Sequence, residues 1–402
     1  MFKSLSLKVI IFGFIFTFFS SFGQSFFLGI FNSSIREDLS ITHGQFGTIY
    51  SSATLLSSFV LIWVGKKIDD INIFKFALFV ILLLSFSCFF FSKISSIVIL
   101  FIAVFLMRFS GQGMMSHTAT TTISRYFTKS RGKALGTGWY GLSSAEFILP
   151  VLMIYLLTIT DWRNIWFAIS LGVLIILPIF SFFLVKDLKL DERETSSEEN
   201  SKDQNIKQWT RKEVIKDYRF YIICSNMLAM PWIATGVFVF QSFILSSKNW
   251  GPYIIAQSFM AYSVMTVITL FFSGLLIDKF SSRKLLIYMN IPLLLAALTL
   301  IYFDNPISSF FFLGLIGISN GFANVLGSST WAEIYGVKHI GSIKALTTAL
   351  MVFATAFGTA LFGFLIDNGF SIEKISIISG TYISISLILL FIIRNKLNPK
   401  LL

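Results

Sequence analysis

Three ionisable residues lie deep inside apolar stretches of the 402-residue sequence: Arg108, His117 and Glu146. Such residues are costly in an apolar environment and usually face a partner or a water-filled cavity. At about 1.5 Å per helical residue, Arg108 would lie about 24 Å from the end of its stretch at residue 124, and Glu146 about 18 Å from the beginning of its stretch at residue 134. The similar depths on consecutive antiparallel helices predict a charge pair, which either joins the two helices or serves as an anion and proton site.

Other polar side chains are predicted at a comparable depth. Gln112 follows Arg108 by about one helical turn and shares its face, whereas His117 points to the opposite side, so we interpret His117 as a helix-packing residue. Each such polar residue alone is more often an interhelical hydrogen bond than a ligand. Their common depth favours a cavity whose candidate substrate-binding residues are Gln24, Arg108, Gln112, Tyr262, Asn320 and Asn324, with Glu146 as the candidate proton site.

The composition places these residues in a membrane protein. The chain is 55% hydrophobic and 13% charged, whereas about 25% of a soluble domain is charged. Twelve apolar runs, from about 9–32 to about 372–393, are each long enough for a membrane span. The two cysteines offer neither a disulfide framework nor metal-ligand spacing. We therefore expect an all-α protein with twelve transmembrane helices, and we exclude a soluble enzyme.

The net charge of +12 is explained by the membrane topology of the chain. Of the 32 Lys and Arg residues, 26 fall in alternate connections on one side, 5 fall on the other side, and Arg108 lies inside a span. The positive-inside rule then predicts that both termini are cytoplasmic. The basic residues are thus explained without a nucleic-acid partner. The first run is longer than the apolar h-region of a typical signal peptide and no small-residue cleavage pattern follows it, so we predict that it is retained.

The chain divides into two halves. We predict a six-helix bundle over residues 1–185, a cytoplasmic linker over 186–218 and a second six-helix bundle over 219–402. An amphipathic stretch, Gln208 to Lys216, is predicted to lie on the membrane surface. Gly65 and Tyr126 recur 209 residues later as Gly274 and Tyr335, which indicates a duplication. Two equivalent bundles predict a substrate site at their interface that opens alternately to each side.

Loop motifs of both halves resemble those of the major facilitator superfamily along essentially the whole chain. G-x-x-x-D follows the second run and recurs after the eighth, and Arg108 with the Gly-Gln-Gly that follows is similar to the fourth-helix arginine motif. The resemblance implies two pseudo-symmetric bundles and secondary transport by alternating access. Ion pairs of the loop motifs would then hold one side shut. The implied gating residues are Gly65, Asp69, Arg125, Arg131, Gly274, Asp278, Lys279 and Arg283.

Some features depart from the family pattern. Asp70 stands where a basic residue is expected, and the fifth run lacks the G-P-x-x-G-G signature of drug/proton antiporters. Residues 333–346, in contrast, are similar to the bacterial relatives of monocarboxylate and oxalate/formate carriers. The resemblance therefore favours an organic anion over a drug as the substrate.

These observations predict a secondary transporter of a small solute, with an organic anion such as a monocarboxylate favoured and proton coupling through Glu146. A proton-coupled exporter of amphipathic compounds and a non-transporting sensor on a transporter fold are the alternatives. No phosphate-binding loop and no catalytic motif is present, so we expect neither an enzyme nor a cofactor or metal. The expected partners are the substrate and the lipid bilayer, and we expect a monomer in a bacterial inner membrane.

Overall fold

The computed structural model describes residues 4–127, 131–186, 188, 207–336 and 338–398. Twelve of its helical segments are long and apolar enough to cross a membrane. Numbered in chain order, these spans are Ser6–Ile30, His43–Ile68, Ile73–Phe91, Ile97–Tyr126, Lys133–Leu157, Trp162–Val185, Tyr218–Val239, Pro252–Ile277, Ser282–Tyr302, Ile307–Tyr335, Ser342–Asp367 and Ile372–Lys396. The chain is therefore an integral membrane protein, and the predicted twelve spans are confirmed.

One compact unit, unit 1, consists of Met1–Ser196 together with Phe238–Ser242. Several of its spans are assembled from shorter helical pieces, because span 1 is interrupted after Ser20 and span 4 after Met107. The helices are α1 (Ser4–Ser20), α2 (Ser25–Ile30), α3 (Asn32–Leu39), α4 (His43–Val64), α5 (Ile73–Phe91), α6 (Ile97–Met107), α7 (Ser116–Tyr126), α8 (Arg131–Leu157) and α9 (Trp162–Val185).

The other compact unit, unit 2, consists of Ser197–Val237 and Phe243–Leu402. Its long helices α13 and α16 pack against each other along much of their length. The helices of this part of the chain are α10 (Arg211–Lys216), α11 (Tyr218–Val239), α12 (Gln241–Lys248), α13 (Pro252–Phe280), α14 (Ser282–Met289), α15 (Ile291–Tyr302), α16 (Ile307–Tyr335), α17 (Ile340–Asp367) and α18 (Ile372–Ile393).

Each unit contains a backbone-to-backbone crossing that only glycine permits. In unit 1, a β-carbon at Gly141 of span 5 would lie 2.0 Å from the carbonyl oxygen of Phe14 in span 1. In unit 2, a β-carbon at Gly358 of span 11 would lie 2.0 Å from the carbonyl oxygen of Trp232 in span 7. Small residues let membrane helices approach this closely, because van der Waals packing drives their association. Spans 1 and 5 of unit 1 thus meet in the same way as spans 7 and 11 of unit 2.

Each unit also has a charged contact at the equivalent helix ends, and the signs are exchanged. In unit 1, Asp38 after span 1 pairs with Arg163 at the start of span 6. In unit 2, Lys248 after span 7 pairs with Glu373 at the start of span 12, at 2.8 Å, and with Asp304, at 2.6 Å. Adding 210 to the numbers of Asp38 and Arg163 leads to Lys248 and Glu373. The internal repeat is therefore visible in structural contacts and not only in the loop motifs.

The amphipathic stretch before span 7 packs on the protein. Its apolar side chains Trp209 and Val214 are 6% and 0% exposed within the hydrophobic core of unit 2. The backbone amide of Trp209 donates a hydrogen bond to the carbonyl oxygen of Tyr335 at 3.0 Å. The apolar face of this stretch therefore packs on the protein, because the end of span 10 supplies both an apolar contact surface and a backbone acceptor. The preceding linker residues 189–206 lie outside the described part of the chain.

Candidate functional site

Arg108 is buried among neutral partners in unit 1. Its residue is 2% exposed, and its Nη1 donates hydrogen bonds to the carbonyl oxygen of Gly23 at 2.9 Å and to Oγ of Ser25 at 3.3 Å. The guanidinium carbon lies 5.4 Å from the centroid of the Tyr50 ring. The Tyr50 hydroxyl donates to the same Ser25 oxygen at 2.9 Å. Among the described residues, Arg108 has no acidic partner within ion-pair distance, so this buried cation has no counter-ion.

Two irregular helix segments form the immediate surroundings of Arg108. Span 1 is broken by a 3₁₀ turn at Ser21–Gly23 and an extended residue, Gln24, before α2 begins. Span 4 contains a π-helical segment, Arg108–Met115. A β-carbon at Gly23 would lie 2.3 Å from the carbonyl oxygen of Met107, and one at Gly111 would lie 2.6 Å from the Gly23 nitrogen. The two backbones therefore touch, and the break leaves the Gly23 carbonyl oxygen as an acceptor for Arg108. Such irregular segments often mark functional sites in membrane helices.

Glu146 is a buried carboxyl group on span 5. The residue is 6% exposed, and within the described part of the chain it forms no hydrogen bond or ion pair. The ion pair that the sequence predicts between Arg108 and Glu146 is therefore not formed. The reason is that Nη1 of the arginine is directed to the break of span 1, where Gly23 and Ser25 supply neutral acceptors.

The other predicted substrate-binding residues fall into two groups. In unit 1, Gln24 and Gln112 are half-buried, and the backbone nitrogen of Gln112 would lie 2.5 Å from a β-carbon at Gly23. Both glutamines therefore lie next to the irregular segments that surround Arg108. In unit 2, Tyr262 is buried, Asn320 is half-buried and Asn324 is exposed.

Sequence reasoning did not identify Ser25 and Tyr50 as part of the site. Both are buried, at 8% and 2% exposure, and both contact Arg108 directly. The only signal in the sequence was a hydroxyl group inside an apolar run, which is common in membrane helices as interhelical hydrogen bonding. Trp331, on the same span as Asn320 and Asn324, belongs to the hydrophobic core of unit 2.

The predicted gating residues of unit 1 form contacts between spans 2 and 4. Nη1 of Arg125 donates to the carbonyl oxygen of Ile68 at 3.1 Å. The Gly65 carbonyl oxygen lies 3.0 Å from Nε2 of His117. His117 thus joins the two spans, which is the packing role favoured from the sequence. The side chains of Asp69 and Arg131 lie outside the described residues.

The predicted gating residues of unit 2 make contacts of a different kind from those of unit 1, since Arg283 pairs with an acidic side chain rather than with a backbone oxygen. Nε of Arg283 lies 3.0 Å from a carboxylate oxygen of Glu333 in span 10. The same carboxylate accepts a hydrogen bond from the Ser282 backbone amide at 2.8 Å, at the start of α14. Gly274 has open space at its β-carbon position, so no helix of the described residues packs closely against this glycine. Lys279 lies over the Phe280 ring at 5.3 Å.

The acid that pairs with Arg283 was missed from the sequence. Glu333 lies about fifty residues after the motif in the chain, and no local spacing connects it with span 9. The side chain of Asp278, the predicted acid of this motif, lies outside the described residues. Within the described ranges, no cluster of three or more His, Cys, Asp or Glu residues could hold a metal ion.

The sequence matches the Major Facilitator Superfamily over residues 13–358, so the chain belongs to this family. It is a secondary transporter that binds a small-molecule substrate in the membrane, and it is not an enzyme. No curated protein matches the sequence. The residues above are therefore candidate parts of a transport site.

Solved transporter structures share the fold at low sequence identity. A bacterial homologue of the human lysosomal transporter Spinster, inward-facing and unoccupied, is 12% identical with a TM-score of 0.73, and the match covers 99% of this chain and 98% of that chain. The nucleoside transporter NupG is 13% identical with a TM-score of 0.71, covering 98% and 99% respectively. The predicted fold class is confirmed by these similarities.

Proposed function

We propose that this transporter carries a small organic anion, with a monocarboxylate as the favoured class, and that it couples anion movement to protons. The observation that carries the proposal is the burial of Arg108 among neutral partners, with no carboxylate at ion-pair distance in the described part of the chain. The cation of the site is therefore available to an incoming anion without first breaking an internal ion pair.

The energetics support an anionic ligand. An arginine at mid-membrane costs roughly 2.5–3.5 kcal/mol on insertion scales. Hydrogen bonds to Gly23 and Ser25 and the Tyr50 ring offset part of that cost. A carboxylate adds two charge-assisted hydrogen bonds to a guanidinium and neutralises it. A lipophilic cation would instead be repelled, which disfavours the amphipathic-compound exporter.

Glu146 is the proposed proton site. Its carboxyl group is buried without a partner in the described residues, so its charge is costly and protonation removes that cost. Because Glu146 does not pair with Arg108 in the described part of the chain, Glu146 can take up a proton without first breaking an ion pair with the arginine. Carrying one proton with one monocarboxylate then keeps the total charge of the buried site constant.

The anion assignment is tested by transport into proteoliposomes with radiolabelled L-lactate as the probe. Arg108→Gln should abolish uptake, and Arg108→Lys should weaken it about tenfold or more, because lysine keeps the charge but loses the planar fork. Normal lactate uptake by Arg108→Gln would contradict the anion assignment. Inhibition of the wild type by tetraphenylphosphonium but not by carboxylates would favour the exporter of amphipathic compounds.

The proton assignment has its own experiment. Glu146→Gln should retain lactate exchange across the membrane but lose accumulation driven by a proton gradient. The matched control is Glu37→Gln, the same chemical change at an exposed position between spans 1 and 2. Accumulation by Glu146→Gln equal to that of the control would exclude Glu146 as the coupling residue.

We also propose that the loop motifs control conformational switching rather than binding. Arg125 on span 4 contacts the backbone of span 2, and Arg283 on span 9 contacts Glu333 on span 10. Asp69 and Asp278 are the acids of the two motifs that the family resemblance implies in gating, and Asp69→Asn and Asp278→Asn should slow transport while they leave lactate affinity within about threefold. A large loss of equilibrium affinity with normal exchange rates would contradict this role.

A further inference from the structure

The hydrogen-bonding capacity of Arg108 is used on one side only. Nη1 donates to the Gly23 carbonyl oxygen and to Oγ of Ser25. A guanidinium has five N–H donors, two of them on each terminal nitrogen and one on Nε. In the described part of the chain, Nε is buried with no hydrogen-bond partner, and no hydrogen bond of Nη2 is found. Three of the five donors therefore have no partner among the described residues.

The unused donors lie on one edge of the planar group. A carboxylate can bind a guanidinium through two parallel N–H···O bonds, either end-on at Nη1 and Nη2 or side-on at Nε and Nη2. Because both Nη1 hydrogens are already donated to Gly23 and Ser25, the end-on edge is closed. The side-on edge keeps both of its parallel donors.

We propose that Ser25 is a positioning residue that, with the Gly23 carbonyl oxygen, fixes Arg108 so that a single carboxylate binds side-on to Nε and Nη2. This inference rests on the proposed function and assigns the geometry and the ligand class of that site. The ligand class is a planar carboxylate, because its two oxygens match the two parallel donors.

Tyr50 fixes Ser25 in turn. The Ser25 oxygen accepts one hydrogen bond from Arg108 and another from the Tyr50 hydroxyl, so both of its acceptor positions are used. The Tyr50 ring lies against the guanidinium and limits its rotation. The arrangement presents only donors to the ligand. A carboxamide, which replaces one acceptor oxygen by an N–H₂ group, would place a donor against a donor and should be rejected.

The experiment measures ligand affinity of the purified full-length protein by thermal shift, and transport in proteoliposomes. The probes are sodium L-lactate and sodium acetate, with lactamide and acetamide as neutral analogues of the same shape. Ser25→Ala should raise the Kd and the KM for lactate about tenfold, because Nη1 loses one acceptor and the guanidinium can turn. It should also reduce the preference for lactate over lactamide. Ser25→Thr retains the hydroxyl group and should stay within about twofold of the wild type.

The matched control is Ser110→Ala, which removes another buried hydroxyl group, from the π-helical segment that contains Arg108. Ser110 donates to Ser87 at 3.0 Å and has no hydrogen bond with Arg108. A merely structural role of Ser25 would lower the melting temperature of both variants and leave lactate affinity and selectivity unchanged. If Ser25→Ala yields no folded protein, Ser25→Cys provides the same test with a weaker acceptor and an expected rise of about threefold in KM.

The outcomes separate this inference from the proposed function. Loss of lactate binding in Arg108→Gln, together with Ser25→Ala or Ser25→Cys that matches Ser110→Ala in affinity and selectivity, overturns only the positioning role. Undiminished lactate binding by Arg108→Gln, or no binding of either carboxylate by the wild type, overturns the proposed function and this inference with it. A tenfold loss of lactate affinity in Ser25→Ala, together with Ser25→Thr that stays within about twofold of the wild type, supports both the proposed function and the positioning role.

Discussion

Lys248 and Glu373 form an ion pair at 2.8 Å although the lysine side chain is only 1% exposed. Burial by itself lowers the pKa of Lys248, but hydrogen bonds to Asp304 and Glu373 outweigh burial, and the pKa is raised above its usual value. A raised pKa in the folded state means that the pair stabilises the protein at neutral pH and up to the unfolded lysine pKa of about 10.4, and that this contribution is lost as the pH rises through the folded-state value. At the acid end the pair is lost when the partner carboxylates become protonated.

Removing this lysine should destabilise the protein. Lys248→Met leaves Asp304 and Glu373 without their cation, and we expect a loss of about 1–2 kcal/mol, between the values typical of exposed and buried pairs. The measurement is the thermal unfolding midpoint in detergent at pH 7. Lys374→Met, at an exposed neighbouring position, is the control and should leave the midpoint unchanged. Equal midpoints for the two variants would show that the ion pair is not stabilising.

The equivalent contact of unit 1 predicts an acid-sensitive component of stability. A hydrogen bond from the Trp162 indole and the contact with Arg163 hold the pKa of Asp38 below its usual value, against the opposing effect of burial. A lowered folded-state pKa stabilises the protein above the unfolded value of about 3.9, and the contribution is lost as the pH falls through the folded value. The unfolding midpoint of the wild type should therefore fall more steeply below about pH 4 than that of Asp38→Asn. Parallel pH profiles would contradict this origin.

The glycine crossings predict steric effects that glycines with open space around them should not show. Gly141→Ala and Gly358→Ala place a β-carbon about 2 Å from a backbone oxygen of the crossing span. We expect each to cost about 1–3 kcal/mol, because the backbone of a packed helix must shift. The controls are Gly136→Ala and Gly327→Ala, where the added β-carbon meets open space. A yield of folded protein in the crossing variants that equals the controls would contradict the predicted clash.

Glu333 is predicted to be a stabilising acid of unit 2. Glu333→Gln keeps the size of the side chain but removes the charge that pairs with Arg283 and that lies at the start of α14. A negative charge at a helix start and a charge-assisted hydrogen bond together predict a loss of about 1–2 kcal/mol. The unfolding midpoint measured at low and at high salt tests the cause, since screening should reduce the difference between the variant and the wild type. A salt-independent difference would point to packing instead.

The orientation inferred from charged loops predicts a labelling pattern. Glu37 and Lys133 are both exposed, and they lie at opposite predicted sides of the membrane. A cysteine at Glu37 should react in intact cells with a membrane-impermeant maleimide, and one at Lys133 should react only after permeabilisation. The native Cys88 and Cys224 are buried and should not react. The reverse pattern would contradict cytoplasmic termini.

The sequence predicted the spans and their repeat well, because apolar length and loop charge are properties of contiguous residues. The depth of Arg108 and Glu146 followed from helical rise alone, and both are buried. The hydrogen-bond partners of Arg108 could not be predicted from the sequence. The break at Ser21–Gly23 changes the direction of the chain and presents a carbonyl oxygen that a regular helix would have used. No pattern within span 4 reveals that its arginine faces this break rather than span 5.

Long-range partners were also beyond sequence reasoning. Glu333 reaches Arg283, and Trp209 binds Tyr335, across segments with no shared period or motif. An amphipathic stretch such as Gln208 to Lys216 has the same composition whether its apolar face covers lipid or protein. The apolar surface that unit 2 offers to this stretch decides whether its apolar face covers protein or lipid.

The exchanged charges at the ends of the two repeats bear on how the chain sorts its own spans during synthesis. A duplicated protein contains two similar positions for each late span, and an incoming span can enter the wrong bundle. If span 12 took the position of span 6, Glu373 would face Asp38, and if span 6 took the position of span 12, Arg163 would face Lys248. Both errors place like charges together, whereas each correct arrangement pairs opposite charges. The inverted signs therefore disfavour an exchange of the two closing spans between the halves of the chain.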